Sequence, residues 1–176
     1  MKILAISGSL RKKSYNSALL KACQVLAPDS TEIILFDGLA DIPPFNPDVE
    51  ASSVKSVLKL KQLLALSSGL IISSPEYAHG VSGVLKNALD WLVSEAEFVD
   101  KRVAIFNTSP RASHAINALH EIIRTMSGNI DTQACLTLPL LGSELSYEGI
   151  LDDEHMVQQI RKALDVFCSF RPRSLN

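Results

Sequence analysis

Cysteine is scarce in this chain, with three residues among 176. Cys23, Cys135 and Cys168 form no Cys-x-x-Cys pair and leave an odd number, which argues against a disulfide framework and against a zinc site. Each lies in an apolar pattern, so we expect packed, reduced thiols. No Cys-x5-Arg motif is present, which argues against a cysteine phosphatase. We expect no metal site in this protein.

Long apolar runs and a strong net charge are missing too. No apolar run approaches the roughly 20 residues of a membrane-spanning helix. Ser and Gly interrupt the run 3–6, which favours a strand over a secretory signal. The net charge of -2 gives no drive toward nucleic acid or acidic membranes, and the basic clusters 11–13 and 171–173 are too short to change this. We expect a soluble, cytoplasmic protein.

The length predicts one domain over residues 1–176, and short apolar runs alternate in it with longer amphipathic stretches. Strands are predicted over residues 3–6, 32–36, 70–73, 103–106 and 135–138. Helices are predicted over residues 16–26, 53–66, 84–96, 115–126 and 154–170. Strands one, three and four are nearly all apolar, which is typical of a parallel sheet covered on both faces. The pattern predicts a doubly wound α/β fold, with Rossmann-like or flavodoxin-like strand order.

The loop after the first strand carries the strongest functional signal. The strand breaks at residues 7–9, a basic, hydroxyl-rich turn follows, and a helix starts near Ser14. Backbone N–H groups and the positive end of a helix dipole attract a phosphate there. The candidate side-chain donors are Ser9, Arg11, Ser14, Asn16 and Ser17. The loop lacks the Gly-Lys-Ser/Thr ending of a P-loop and the spaced glycines of a Rossmann turn, so we predict a monophosphate site.

A plainer interpretation of the same loop is a serine-rich turn with a solvated Arg11, because Ser and Asn are ordinary helix N-caps.

The loop after the third strand leaves alternatives open as well. His79 could touch substrate or face solvent, and Glu76 could be a general base, although we favour a role for its backbone. Trp91 could be half-buried core or a contact with a second subunit. The proline-rich loop 41–47 could wall a site or bridge two elements.

The segments GSLRKKSYNSALL and PEYAHGVSGVLKNALDW, in this order, resemble the NAD(P)H-dependent FMN reductases. This flavodoxin-like family includes chromate, quinone and azo-dye reductases, and the likeness spans roughly residues 1 to 110. It implies a five-stranded parallel sheet of order 2-1-3-4-5, FMN as cofactor, and NADPH or NADH as co-substrate. It also implies a homodimer or homotetramer, with the helix that carries Lys86, Asp90 and Trp91 at the interface.

The resemblance implies a role for each motif residue. The FMN phosphate would be held by Ser9, Arg11, Ser14, Asn16 and Ser17. The isoalloxazine ring would lie along Pro75, Glu76, Tyr77 and Ala78, largely through backbone groups. The loop 107–111, with Thr108 and Ser109, would approach the flavin from a third side. No catalytic side chain is expected, because the flavin carries the chemistry.

The chain departs from the family pattern in three places. Ala78 stands where the family usually has Asn, and Ser82 stands where it usually has Pro. The loop after the fourth strand, usually rich in glycine, has none between Thr108 and His114. That loop commonly admits the nicotinamide or the acceptor.

The expected reaction is hydride transfer from nicotinamide to the flavin, and then reduction of a quinone, flavin, azo compound or similar acceptor, in a ping-pong cycle. The alternatives are a flavodoxin-type electron carrier and a non-catalytic flavin-binding module. Such carriers tend to be strongly acidic, which the net charge of -2 argues against.

Overall fold

The apolar runs form the centre of a parallel sheet in the computed structural model, which describes residues 1–143 and 146–169. The strands are β1 Lys2–Ser7, β2 Glu32–Leu35, β3 Gly69–Ser73, β4 Glu76–Tyr77, β5 Gly80–Val81, β6 Arg102–Asn107, β7 Asn129–Ile130 and β8 Leu136–Thr137. The α-helices are α1 Tyr15–Val25, α2 Lys55–Leu66, α3 Gly83–Asp90, α4 Ser113–Thr125, α5 Tyr147–Asp152 and α6 Glu154–Ser169. Three short 3-10 helices cover Leu39–Asp41, Ala51–Ser53 and Ala96–Phe98. None of the described helices is both long and apolar enough to cross a membrane.

The main sheet has the order β2-β1-β3-β6-β7, and β8 also pairs with β6. All of these pairings are parallel, with Ala5 beside Ile71 and Leu70 beside Val103 at the centre. This order confirms the predicted flavodoxin-like arrangement and excludes the Rossmann-like alternative. It brings the carboxyl ends of β1, β3 and β6 together at one edge.

Alternate residues of the central strands point to opposite faces of the sheet, and each face is covered by helices. Leu4, Ile6, Leu70 and Ile72 pack in one core with side chains of α2, α3 and α4. The neighbours of these residues along β1 and β3, such as Ile71, pack in a second core with α1, α5 and α6. Because residues on both faces of these strands are buried, the strands are continuous apolar runs in the sequence.

The fifth sheet position differs from the single strand predicted over 135–138. Two short segments, β7 and β8, each pair with β6, and a turn lies between them. The carboxylate of Asp131 accepts the backbone N–H groups of Gln133 and Ala134, which bends the chain at this point. The side chain of Asp131 therefore divides the edge strand.

One other expectation needs correction, and two short elements were not predicted. The third helix ends at Asp90 rather than at residue 96, and turns lead on to the 3-10 helix Ala96–Phe98. The hairpin of β4 and β5 and the six-residue helix α5 were not predicted, because both are too short for a periodic pattern. The last helix is described as far as Ser169, while residue 170 and the basic cluster 171–173 lie outside the described residues.

Helix α3 holds the proline-rich loop through two side chains one turn apart. Asn87 accepts the N–H of Phe45 at 2.7 Å and donates to the carbonyl of Pro43 at 2.9 Å. Trp91 donates to the same Pro43 carbonyl at 2.8 Å, and its ring meets that of Phe45 edge to face at 5.3 Å. Trp91 is 3% exposed in this chain, so its interpretation as a subunit contact is wrong.

We expect Asn87→Ala to lower the free energy of unfolding by about 1–3 kcal/mol, because it removes two side-chain hydrogen bonds that hold the loop, each contributing about 0.5–1.5 kcal/mol. Urea unfolding followed by far-UV circular dichroism measures the change. Lys86→Ala is the matched control, since Lys86 forms an exposed ion pair with Asp90 that contributes about 0–1 kcal/mol. Equal losses in the two variants would contradict the role of Asn87.

Candidate functional site

A cavity of about 280 Å³ opens where the loops after β1, β3 and β6 meet. Its walls are Ser9, Arg11, Ser14, Tyr15, Asn16, Pro75, Glu76, Tyr77, Thr108, Ser109, Arg111, Ala112 and Leu141. The cavity lies at the carboxyl ends of the parallel strands, where ligands of doubly wound sheets bind. Of the predicted site residues, Ser17 and Ala78 do not line it.

The first wall is the loop between β1 and α1. Ser14 has extended backbone angles and accepts the N–H of Ser17 on its hydroxyl at 3.3 Å, so it is the N-cap of α1. Arg11 is exposed at the cavity and forms no ion pair with a described residue. The start of α1, the Ser9 hydroxyl and this guanidinium form a donor set that suits a phosphate.

Asn16 and Ser17 have structural contacts that the sequence did not reveal. The side-chain oxygen of Asn16 accepts the hydroxyl of Ser73 at 2.8 Å and that of Thr108 at 3.3 Å. Asn16 therefore joins the start of α1 to the ends of β3 and β6, and it also lines the cavity. The hydroxyl of Ser17 lies 2.8 Å from that of Ser7, behind the cavity wall.

Gly8 lies where the loop after β1 comes close to the segment that follows β3. Its N–H donates to the carbonyl of Ser73 at 2.8 Å. A Cβ at Gly8 would lie 2.6 Å from the Ser74 hydroxyl and 2.9 Å from that of Ser82. Ser82 is 2% exposed, and its hydroxyl has no partner. The site thus tolerates no side chain at Gly8 without movement of its neighbours.

The second wall is the hairpin of β4 and β5. Its turn places Ala78 at φ 49° and His79 at φ 58°, a left-handed conformation that non-glycine residues adopt at a cost. Tyr77 is half exposed at the cavity, whereas Ala78 is turned away from it. The family's usual Asn adopts this conformation more readily than Ala does.

Glu76 joins this hairpin to helix α4. Its carboxylate accepts the N–H of Ala115 at 2.9 Å, in the first turn of α4. The N-cap residue Ala112 has no side-chain acceptor of its own, so Glu76 substitutes for it. The sequence favoured a backbone role for Glu76, with a general base as the alternative, and did not reveal this capping contact. The exposed rings of His79 and His114 stack at 4.3 Å beside this contact, and neither lines the cavity.

The third wall is the loop between β6 and α4, which its own hydrogen bonds hold without glycine. The side chain of Asn107 donates to the carbonyl of Ser109 at 2.6 Å and accepts its N–H at 3.1 Å. The hydroxyl of Ser109 accepts the N–H of Arg111 at 3.3 Å. The N–H of Leu140 donates to the Thr108 carbonyl at 3.0 Å, which ties the loop to the segment after β8.

Four lining residues were not among the predicted site residues: Tyr15, Arg111, Ala112 and Leu141. Tyr15 and Arg111 lie inside segments that the sequence had already marked, so proximity alone could have suggested them. Leu141 lines the cavity only because β8 pairs with β6, which no local pattern reveals.

Cysteine and metal chemistry are not features of this cavity. Burial raises the pKa of the Cys23, Cys135 and Cys168 thiols, so they are protonated at neutral pH. None of the three lines the cavity. Within residues 1–143 and 146–169, no group of three or more His, Cys, Asp and Glu residues could hold a metal ion.

A flavodoxin-like sheet that has hydrogen-bond donors suited to a phosphate at the end of β1 is typical of a class of nucleotide-binding proteins. The chain belongs to the NADPH-dependent FMN reductase family, whose model matches residues 1–138. It is therefore a flavin-dependent oxidoreductase with FMN as cofactor and NAD(P)H as co-substrate.

Individual relatives agree with this membership. The chain is 36% identical to the NAD(P)H-dependent FMN reductase of Pseudomonas aeruginosa over 129 residues, which are 72% of this chain and 69% of that protein. It is 32% identical to an NADPH azoreductase of Bacillus sp. over 129 residues, 73% and 70% of the two chains. The flavoenzyme NAD(P)H:(acceptor) oxidoreductase FerB of Paracoccus denitrificans superimposes with a TM-score of 0.83 at 27% identity, covering 96% of this chain and 95% of that one.

We expect Gly8→Ala to lower the free energy of unfolding by about 1–3 kcal/mol through overpacking, and to weaken FMN binding. Thermal unfolding of the apoprotein and fluorescence titration with FMN measure the two effects. Gly83→Ala is the matched control, because nothing lies within 4 Å of a Cβ at that position. A Gly8→Ala protein with unchanged stability and unchanged FMN affinity would show that a Cβ at position 8 fits beside Ser74 and Ser82.

Glu76→Ala should destabilise the first turn of α4 by about 0.5–2 kcal/mol, because it removes the acceptor that caps the helix. Hydrogen exchange of the Ala115 amide should accelerate accordingly. Glu76→Gln retains a side-chain oxygen and should recover part of the protection, while Glu121→Ala, on an exposed part of α4, should have no effect there. Protection that is identical in all four proteins would exclude the capping role.

Proposed function

We propose that the chain transfers a hydride from NADPH or NADH to bound FMN and then reduces a small acceptor, such as a quinone, a free flavin or an azo compound. The observation that carries this proposal is the cavity that the start of α1, with Ser9, Arg11 and Ser14, shares with Glu76 and Tyr77 of the hairpin. Flavin reduction needs little more from a protein than binding, orientation and local polarity.

The loop after β1 would hold the phosphate of FMN. Its donors are hydroxyl and guanidinium groups, reinforced by the N-terminal dipole of α1. Asn16 would act on this end mainly by keeping the helix start in position, because its side-chain oxygen is engaged by Ser73 and Thr108. Ser17 supports the loop from behind, through Ser7. The hydroxyl and guanidinium donors of this loop have the chemistry that a terminal phosphate requires.

The hairpin and the loop after β6 would border the flavin ring. Pro75, Glu76 and Tyr77 line the cavity on the hairpin side, and Thr108 and Ser109 line it on the side of the loop after β6. Ala78 would contribute through the shape of the turn, since it does not line the cavity. Bound FMN supplies the redox chemistry by accepting a hydride and passing electrons on. The residues around it would orient the ring and leave a face open to solvent.

A ping-pong cycle follows from a shared site. Donor and acceptor would both reach the flavin through the same opening, so the oxidised nicotinamide would leave before the acceptor enters. No described side chain is needed as an acid or base for the hydride step. The alternative, a one-electron carrier, is disfavoured by the net charge of -2, which provides little steering toward a basic protein partner.

We also propose that the protein works in the cytoplasm as a homodimer or homotetramer. Lys86 and Asp90, which pair on the outer side of α3, remain candidates for the subunit contact, whereas Trp91 is buried within its own chain. Sedimentation or light scattering at several protein concentrations measures the assembly. A monomer at all concentrations would contradict this part of the proposal.

The test loads the protein with FMN, removes unbound flavin, and adds NADPH or NADH without oxygen. We expect bleaching of the visible flavin absorption, and parallel lines in double-reciprocal plots with a quinone or azo acceptor. Arg11→Gln should weaken FMN binding by roughly 10- to 100-fold, the effect of one charge-assisted hydrogen bond. Lys13→Gln, an exposed neighbour that does not line the cavity, is the matched control.

Each result has a defined meaning. Retained flavin that stays oxidised with both donors would favour the carrier or the non-catalytic module. Arg11→Gln and Lys13→Gln proteins of equal FMN affinity would contradict the assignment of the phosphate to the loop after β1.

A further inference from the structure

Arg111 is a second guanidinium at the same cavity. It is exposed on the loop between β6 and α4, and it lines the same cavity as Arg11. Among the residues that the structure describes, it forms no ion pair with a carboxylate. Glu76 is the one carboxylate in the described lining, and it is engaged by the Ala115 N–H at 2.9 Å. The cavity therefore carries two cationic groups and little to neutralise them.

The loop also holds Arg111 in a defined place. Asn107 makes two hydrogen bonds to the backbone of Ser109, and the hydroxyl of Ser109 accepts the Arg111 N–H. The N–H of Ala112 donates to the Ser109 carbonyl at 3.1 Å. Because no glycine interrupts this stretch, its backbone has fewer accessible conformations than a glycine-rich loop would have. An arginine on such a loop loses little backbone entropy when it binds an anion.

The proposed function leaves this cation without a role. The single phosphate of FMN would be held by the loop after β1, and the oxidised flavin ring, to which the donor binds, carries no anionic group. A nicotinamide dinucleotide carries a pyrophosphate, and NADPH carries a 2′-phosphate as well. Quinones carry no such group, and the other proposed acceptors carry one only in some cases, such as the phosphate of a flavin nucleotide or the sulfonate of an azo dye. The reaction partner that brings a phosphate to the cavity in every cycle is the electron donor, and its chemistry matches the guanidinium of Arg111.

We propose that Arg111 binds a phosphate group of the nicotinamide dinucleotide and determines the affinity of the enzyme for its electron donor. The inference rests on the proposed function, in which the donor enters this cavity. A guanidinium recognises the pyrophosphate and the 2′-phosphate by the same chemistry. A comparison of NAD⁺ with NADP⁺ distinguishes the two contacts, because only NADP⁺ carries the 2′-phosphate.

The test uses the FMN-loaded protein and isothermal titration with NADP⁺ and NAD⁺, which do not reduce the flavin. Arg111→Gln should weaken binding about tenfold, with unchanged FMN retention. Arg111→Lys should recover part of the affinity, because it keeps the charge and loses the paired donors. Lys12→Gln, an exposed neighbour of Arg11 that does not line the cavity, is the control for the general effect of removing one positive charge.

The pattern across the two nucleotides identifies the phosphate. A loss confined to NADP⁺ supports contact with the 2′-phosphate, and an equal loss with both supports contact with the pyrophosphate. In steady-state assays KM for the donor should rise while kcat at saturating donor stays within about twofold, because a remote phosphate contact binds ground and transition states equally.

Other results overturn the inference. Unchanged affinity for both nucleotides in Arg111→Gln, or a loss equal to that in Lys12→Gln, would show that Arg111 has no specific phosphate contact. Loss of FMN from Arg111→Gln would assign the guanidinium to the cofactor instead. The titration is independent of turnover. A wild-type protein that binds NADP⁺ through Arg111 but never bleaches its flavin would retain this inference and refute the proposed reductase activity.

Discussion

The side-chain oxygen of Asn16 is the contact on which the site depends most. It accepts hydroxyl groups from Ser73 and Thr108, at the ends of the two strands that follow β1 in the sheet. All three residues are buried, so these hydrogen bonds are shielded from water and expensive to break. They hold the start of α1 against the rest of the sheet edge. Together with the hydrogen bond from Gly8 to Ser73, they fix the distance between the phosphate-binding loop and the ends of β3 and β6.

Several residues that look functional in the sequence instead build the walls. Asn87 and Trp91 belong to a family motif, yet both bind the loop that carries Pro43 and Phe45. Glu76 caps α4 rather than offering a free base. Polar residues in a motif near a site satisfy backbone groups that irregular loops leave unpaired, because each buried unpaired group costs free energy. A motif therefore records the support of a site as well as its chemistry.

The sequence predicted the elements whose signals are local. Continuous apolar runs identified β1, β3 and β6, and the hydroxyl-rich turn identified the N-cap at Ser14. It missed features set by distant partners: the split of the edge strand by Asp131, the short helix α5, and the place of Leu141 at the cavity. Ser17 shows the same limit, because a hydroxyl that faces a ligand and one that faces Ser7 look identical in sequence.

The departures from the family pattern lie outside the loop after β1, which keeps the family residues. Ala78 lies in the turn of the hairpin, Ser82 is the N-cap of α3, and Arg111 lies on the glycine-free loop before α4. Glu76 and the stacked histidines join the hairpin to the start of α4, so the second and third walls of the cavity are in contact. Two features of this region are energetically unfavourable: the left-handed backbone of Ala78 and the buried, unpaired hydroxyl of Ser82. Because Glu76 and the stacked histidines couple the two walls, we expect selectivity among reaction partners to vary there more than cofactor binding does.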